Sequence, residues 1–465
     1  MIKPANKAPI PWKFMLPLVL GTMLNPLNST MLATALATLC NSFKITTGQG
    51  AVLITSLYIT STIAQPLMGR LADIYSARRV NNLGFLLILA AALTGIFAPG
   101  FGWLVVSRIL LGLGTSAAYP SAMALIGKKY AAEDKAIPGP VLGIIAVSAQ
   151  VSLVLGPTLG GLLTQLFGWQ GIFLINVPLV IAGLILSRSL PDFPSAVNHR
   201  KQSMFTRLDT VGIILFIAFL LSLLALLMAD HLAWYYIPAA IVSLSALCIW
   251  EWQQEAPFID VKLLVQKPSL SMVYVRGLTT SYVLYLLLYG LPQWLEGVKH
   301  LIPLHTGLIM LPNSLTAIAA GLLIAKIDKS KLQNILGVIL LLLACAGIFL
   351  LNGGMPLPFV VMIGITAGAA EGTNIIANQS LLNEEAPLAQ KGVSFGLYRT
   401  AAYIGAILSG TQLKAAFKNG VTDESFHHIG YNISIACAIL LVLLIPLVFK
   451  KVGLTGRQLS TVDNR

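Results

Sequence analysis

Charge is what this sequence has least of. Lys, Arg, Asp and Glu make up 10% of its 465 residues, whereas soluble domains carry about 25%. That is too few to solvate a folded surface. Cysteine is also scarce: Cys40, Cys248, Cys345 and Cys437 lie in or beside apolar blocks with no paired spacing. This argues against a disulfide framework and against a zinc site, and makes them packing residues. No polar stretch is long enough for a soluble catalytic or sensory domain, and no repeated pore loop suggests a channel. His-Glu and Asp-Asp constellations are missing from the apolar blocks, so an embedded enzyme is not expected.

What is present is apolar. Hydrophobic residues make up 56% of the chain, the mean hydropathy is +0.82, and the apolar residues come in blocks of roughly 18 to 25, the length that crosses a bilayer as helix. Every backbone amide in lipid needs a partner within its own segment, so these blocks are read as helices. About fourteen are expected by the length criterion, at 13–38, 49–69, 81–98, 102–126, 139–165, 171–189, 210–229, 234–252, 269–292, 304–325, 333–351, 357–381, 392–416 and 427–449. The first is too long for a signal-peptide core and reads as a retained span.

The formal net charge is +13, but the basic residues sit singly or in pairs between apolar blocks. They do not form the continuous stripe that tracks phosphates, so nucleic acid is not expected. With the N-terminus placed inside, Lys3, Lys7, Arg70, Arg78, Arg79, Lys128, Lys129, Arg200, Lys201, Lys326, Lys450 and others fall in inside segments. Little beyond Lys44, Lys299, Lys414 and Lys418 falls outside. That asymmetry fits the positive-inside rule, and the tryptophans fall near proposed span ends as an interfacial belt would. Both termini are therefore expected in the cytoplasm. Two longer polar loops divide the chain into a six-helix bundle (1–190), a linker with two helices (191–267), a second six-helix bundle (268–451) and a tail (452–465). Two related helical halves around a central path are the common plan of secondary transporters.

Several segments carry more than hydrophobicity. The loop after the second block reads Gly69-Arg-Leu-Ala-Asp73-Ile-Tyr-Ser-Ala-Arg78-Arg79, where glycine permits close helix approach and Asp73 with the arginines suits a charged gate. The fifth block holds Gly143, Ser152, Gly156, Pro157, Gly160 and Gly161; small residues let helices pack closely and proline allows a bend. Four ionisable residues fall inside blocks, Arg108, Arg276, Glu371 and Arg399, and each is a functional candidate because burying it in lipid costs a few kcal/mol. Glu371, Asn374 and Asn378 are spaced to share one helical face, and so are Tyr282, Tyr285 and Tyr289. The first stripe is polar. The second could hold a cation or an aromatic ring, or could simply pack.

These motifs resemble the major facilitator superfamily. The Gly69 to Arg79 segment is similar to its hallmark loop, with Ser76 where glycine is usual, and the fifth block to its antiporter motif, with Ser152 replacing a glycine. Arg108 with Gly112 and Gly114 is similar to its arginine motif, with Leu111 where glutamine is usual. Gly168-Trp-Gln through Asn176-Val-Pro178, Leu208-Asp209-Thr-Val-Gly212, Glu251 with Pro257-Phe-Ile-Asp260, and Thr306-Gly307 through Pro312 resemble the fourteen-span drug:proton antiporter branch, the EmrB/QacA type.

The resemblance implies an all-α integral membrane protein of the inner membrane, with two six-helix bundles and two inserted helices. It implies proton-coupled export of amphipathic or aromatic molecules by alternating access, or else transport of one metabolite such as a siderophore, a lipid-like compound or an organic anion. Expected partners are a small molecule, protons and the bilayer, with a monomer or a monomer joined to a periplasmic adaptor. No cofactor and no metal are implied. Glu371, Arg108 and Arg399 are the proton-coupling candidates. Asn25, Asn28, Tyr282, Tyr285, Tyr289, Asn374, Asn378 and Arg276 are the substrate candidates. Gly69, Asp73, Arg78, Arg79, Gly156, Pro157, Gly160 and Gly161 are the gating candidates. The branch typically has an aspartate in the first span, where this chain has Leu27-Asn28-Ser29-Thr30. An amide cannot titrate, so proton coupling is expected to rest on Glu371, or else Glu371 forms a static ion pair with Arg276 or Arg399.

Overall fold

The computed structural model describes residues 11–45, 47–135, 137–193, 209–228, 234–255, 257–301, 303–327, 329–418 and 420–445. Among these the chain is helical and contains no strand. The first half comprises α1 (Trp12–Phe43), α2 (Thr47–Ile74), α3 (Ala77–Ile96), α4 (Phe101–Ala132), α5 (Gly139–Phe167), the single turn α6 (Gly171–Leu174) and α7 (Asn176–Leu186). A pair follows, α8 (Thr210–Met228) and α9 (Tyr236–Gln253), then the short α10 (Val261–Gln266). The second half comprises α11 (Pro268–Gly297), α12 (Pro303–Ile324), α13 (Ser330–Leu350), α14 (Leu357–Glu385), α15 (Lys391–Ala416) and α16 (Asp423–Val442). The expected apolar blocks fall on helices where the chain is described, except that 171–189 is broken between α6 and α7 and the end of 427–449 lies outside the described residues. Nine helices among the described residues are long and apolar enough to cross a membrane, ten if the bent pair Leu159–Leu174 and Asn176–Ser189 is one span.

Large apolar side chains such as Leu86, Ile185, Ile214, Val242, Leu323 and Leu343 remain exposed around the outside. A soluble monomer does not carry an apolar surface of that extent, but lipid covers it. Trp12, Trp103, Trp234 and Trp252 are exposed near helix ends as a belt requires. Trp294 is a correction: it is fully buried, and its Nε1 donates to Asp423 Oδ1 at 2.9 Å, tying α11 to the start of α16.

The apolar cores are distributed unequally along the bundle axis. At the end bearing the Arg70, Arg78, Arg79 and Lys128 loops, here the basic end, one cluster runs through both halves. It joins Leu18, Met68, Met123 and Ile145 of the first half to Leu270, Val273, Leu382 and Phe395 of the second. At the opposite end each half has its own core, with Met31, Leu39, Leu53 and Leu104 in one and Leu291, Trp294, Ile348 and Phe426 in the other.

The inserted pair rests against the seam between α2 and α15, where Phe216, Leu220, Leu247 and Phe258 pack with Ile63 and Ile404. Its motif residues explain themselves locally. The Asp209 carboxylate accepts from the Gly212 amide at 3.1 Å, Trp250 Nε1 at 2.7 Å and the Phe258 amide at 3.1 Å, while Glu251 accepts from the Ile259 amide. Two buried carboxyl groups thus hold both helices and the following loop together.

Candidate functional site

A cavity of about 120 Å³ lies between the halves. It is lined from the first half by Asn25, Tyr58, Tyr119 and Gln150, and from the second by Tyr285, Tyr289, Glu371, Gln379, Arg399 and Tyr403. Toward the basic end it is closed by helix contact. A Cβ at Gly69 would run into the Gly392 backbone, and one at Gly396 would lie 2.5 Å from Gln65 O, so α2 and α15 approach to a distance only glycine permits. Just beyond, the Asp73 carboxylate accepts from the amides of Gly392 at 2.9 Å and Val393 at 2.8 Å. These are unsatisfied donors at the positive end of α15, so the bond is charge-assisted and aided by the helix dipole. Further up the same seam Thr400 Oγ1 donates to Thr62 O at 2.7 Å. The Tyr403 hydroxyl donates to Asn25 Oδ1 at 2.9 Å.

The other gating candidates separate. Arg79 is exposed and lies 3.7 Å from Asp192 within its own half, a pair worth little in water, and Arg78 is only partly buried. Gly156 lets α5 meet α1, since a Cβ there would strike Thr30, and Gly160 is buried. Gly161 is exposed with nothing within 4 Å of where its Cβ would stand, so it does not serve close packing. The side chain of Pro157 lies outside the described residues.

The coupling candidates separate too. Glu371 faces the cavity, and Gln150 Nε2 of α5 donates to its Oε1 at 2.9 Å, a bond between the halves. No ion pair among the described residues includes Glu371, Arg276 or Arg399, which corrects the static-pair alternative. Arg399 lies on the cavity wall with its guanidinium 5.0 Å from the Tyr119 ring centre and 5.5 Å from that of Tyr403. Arg108 stands apart, buried in the first half 4.9 Å from the Phe173 ring centre.

Of the substrate candidates, Asn25, Tyr285 and Tyr289 line the cavity. Asn28 does not: its amide pairs reciprocally with that of Asn176 at 2.7 and 2.8 Å, joining α1 to α7. Tyr282 packs against the core of the second half. Arg276 is buried and donates to Asn334 Oδ1 at 2.6 Å and Asn378 Oδ1 at 3.4 Å. Asn374 donates to Gly337 O and Ala370 O, both within the second half. The cavity face of α14 is instead Glu371, Ile375 and Gln379, spaced four apart. The spacing argument chose the neighbouring stripe, because residues at i+3 and i+4 lie on either side of the same helix line.

Gln150, Gln379, Tyr58, Tyr119 and Tyr403 were not singled out by sequence reasoning. A polar or amphipathic side chain in an apolar block was the signal, and Gln150 in Val-Ser-Ala-Gln150-Val was visible by it.

The Major Facilitator Superfamily model matches residues 18–410. The chain is 31% identical over 430 residues to the "Uncharacterized MFS-type transporter YwoD" of Bacillus subtilis (strain 168), covering 90% of this chain and 92% of that protein. It is 24% identical to the "Multidrug efflux pump SdrM" of Staphylococcus aureus (strain N315), covering 82% of this chain and 84% of the other. The solved human organic anion transporter MFSD10 (TETRAN) shares the fold with a TM-score of 0.69 at 17% identity, covering 93% of this chain and 100% of that one. With a family model spanning most of its length and two helical halves around a cavity, this chain belongs to the major facilitator superfamily, as a multi-pass membrane transporter and not an enzyme.

Proposed function

We propose that the chain is a fourteen-span secondary exporter of the inner membrane, with both termini cytoplasmic, moving amphipathic or aromatic small molecules outward in exchange for protons. The observation that carries this is Glu371, the one carboxylate lining the cavity among the described residues, bonded across the halves to Gln150 and in no ion pair among those residues. A carboxylate held this way can exchange a proton without breaking an ion pair, and its charge then differs between the two access states. Lys and Arg crowd the loops of the basic end, which supports placing that end in the cytoplasm. The curated relative named as a multidrug efflux pump supports export.

In proteoliposomes carrying an imposed pH gradient, Glu371→Gln is expected to lose at least tenfold of the gradient-driven rate while retaining substrate exchange without a gradient. Full gradient-driven transport in that variant would remove Glu371 from the coupling. A second reading, transport of one specific metabolite, is favoured by Asn28 standing where the branch has an acid and by the arginine on the cavity wall. A response of a broad panel of toxic compounds to expression separates the two.

A further inference from the structure

The cavity is lined by one acidic and one basic side chain that do not pair. Glu371 and Arg399 are the only charged side chains among the described residues that line it, yet they form no ion pair. Opposite charges sharing a space of low dielectric attract strongly, so their separation is built in. Gln150 from α5 holds Glu371, and the faces of Tyr119 from α4 and Tyr403 from α15 hold Arg399.

Three buried polar atoms on residues that line the cavity have no hydrogen-bond partner among the described residues: Arg399 Nε, the Tyr119 hydroxyl and Gln379 Oε1. Tyr119 is 5% exposed and Gln379 4%. A buried polar group normally has a partner. Two of these atoms can donate toward an anion beside Arg399, and one can accept an N–H or hydroxyl elsewhere on the lining.

We propose that the transported molecule is an aromatic zwitterion. This rests on reading the cavity as the transport site and goes beyond it by naming the charge class. The oxyanion pairs with Arg399 and accepts the Tyr119 hydroxyl proton, in the charge-assisted geometry a guanidinium favours. The protonated amine pairs with the ionised Glu371, and Gln379 Oε1, about two helical turns further along α14, is left to accept an N–H or hydroxyl elsewhere on the cargo. The ring lies against Tyr285 and Tyr289, whose centroids are 5.6 Å apart. The amine alone competes with the proton at Glu371, so the cargo is exchanged against a proton while its anionic end stays outside the exchange. A molecule lacking the oxyanion leaves Arg399 unpaired, and one lacking the amine brings an anion toward a carboxylate. Both are selected against.

The test uses purified full-length protein in liposomes with pH gradients of either sign. The probes are matched quartets built on indole, naphthalene and quinoline rings: the free amino acid, its methyl ester, its N-acetyl acid and its N-acetyl amide. The free amino acid is expected to move at least tenfold faster than its ester and its N-acetyl acid. Arg399→Gln is expected to abolish the preference of amino acid over ester, and Arg399→Lys to keep most of it, which separates charge from packing. An ester moving as fast as its amino acid in the unaltered protein, or Arg399→Gln slowing all four members of a quartet equally, would overturn the zwitterion. If no member of any quartet moves under either gradient, proton-driven export of aromatic molecules falls first, and the zwitterion with it.

Discussion

At the basic end the two halves share one apolar core, and glycines bring α2 and α15 into backbone contact. At the opposite end the halves keep separate cores, capped in the second half by Trp294 and Asp423. Under the alternating access proposed above, the difference describes a conformational state. The structure is sealed on the basic side, and the seal consists of contacts that must break for the cavity to open there. Alternating access requires such a seal to be removable. Its contacts include hydrogen bonds to a helix terminus and the close backbone approach that glycine allows.

The comparison breaks most directly at Gly392. A side chain there would meet Gly69 O at 2.5 Å and the Asp73 carboxylate at 2.8 Å. Gly392→Leu is expected to abolish transport and to leave a cysteine placed at Gln65 open to a membrane-impermeant thiol reagent from the basic side. Overpacking typically costs about 1–3 kcal/mol, enough to move a closely balanced equilibrium tenfold or more.

Asp73→Asn keeps the volume but removes the charge behind two bonds to the α15 terminus. A hydrogen bond to a charged group contributes about 1.5–3 kcal/mol, and part of that is retained by the amide. A loss of roughly tenfold in transport rate is expected, with the same gain in labelling from the basic side. Unchanged labelling would mean that the carboxylate is not part of the seal.

Asn28→Ala should lower stability and leave the preference among substrates unchanged, because the Oδ1 of its buried partner Asn176 would lose its donor, at about 1–3 kcal/mol. Thermal unfolding in detergent reads the loss, and the double variant with Asn176→Ala should recover part of it. A changed substrate preference would return Asn28 to the binding site. The smallest effect is expected of Tyr403→Phe, which removes one neutral bond to Asn25, about 1 kcal/mol. It should raise labelling from the basic side by less than tenfold.

Much of the fold was legible because lipid admits few solutions. Block length pointed to the helices, and loop charge and exposed tryptophans marked their ends. The hallmark loop was legible as a place of close contact at Gly69 and Asp73, which meet α15, though not at Arg79, which pairs with Asp192 at the end of the first half. Glu371 was legible as the lone acid of an apolar block. Its neighbours on the cavity wall were not, because a stripe at Glu371, Asn374 and Asn378 and one at Glu371, Ile375 and Gln379 differ by less than the width of a helix face.

The sequence by itself determined that the chain is a bundle of membrane helices in two halves, since hydrophobic length and charge placement depend on no partner helix. Only the tertiary structure decided which polar groups meet. Asn28 is spent on Asn176, and Asn374 and Arg276 on bonds within the second half. Glu371 and Arg399 are left facing one cavity without touching. The physical reason is that an intramembrane polar side chain must find a partner, and whether a packed helix or a cargo supplies it depends on helix rotation, which the whole bundle sets.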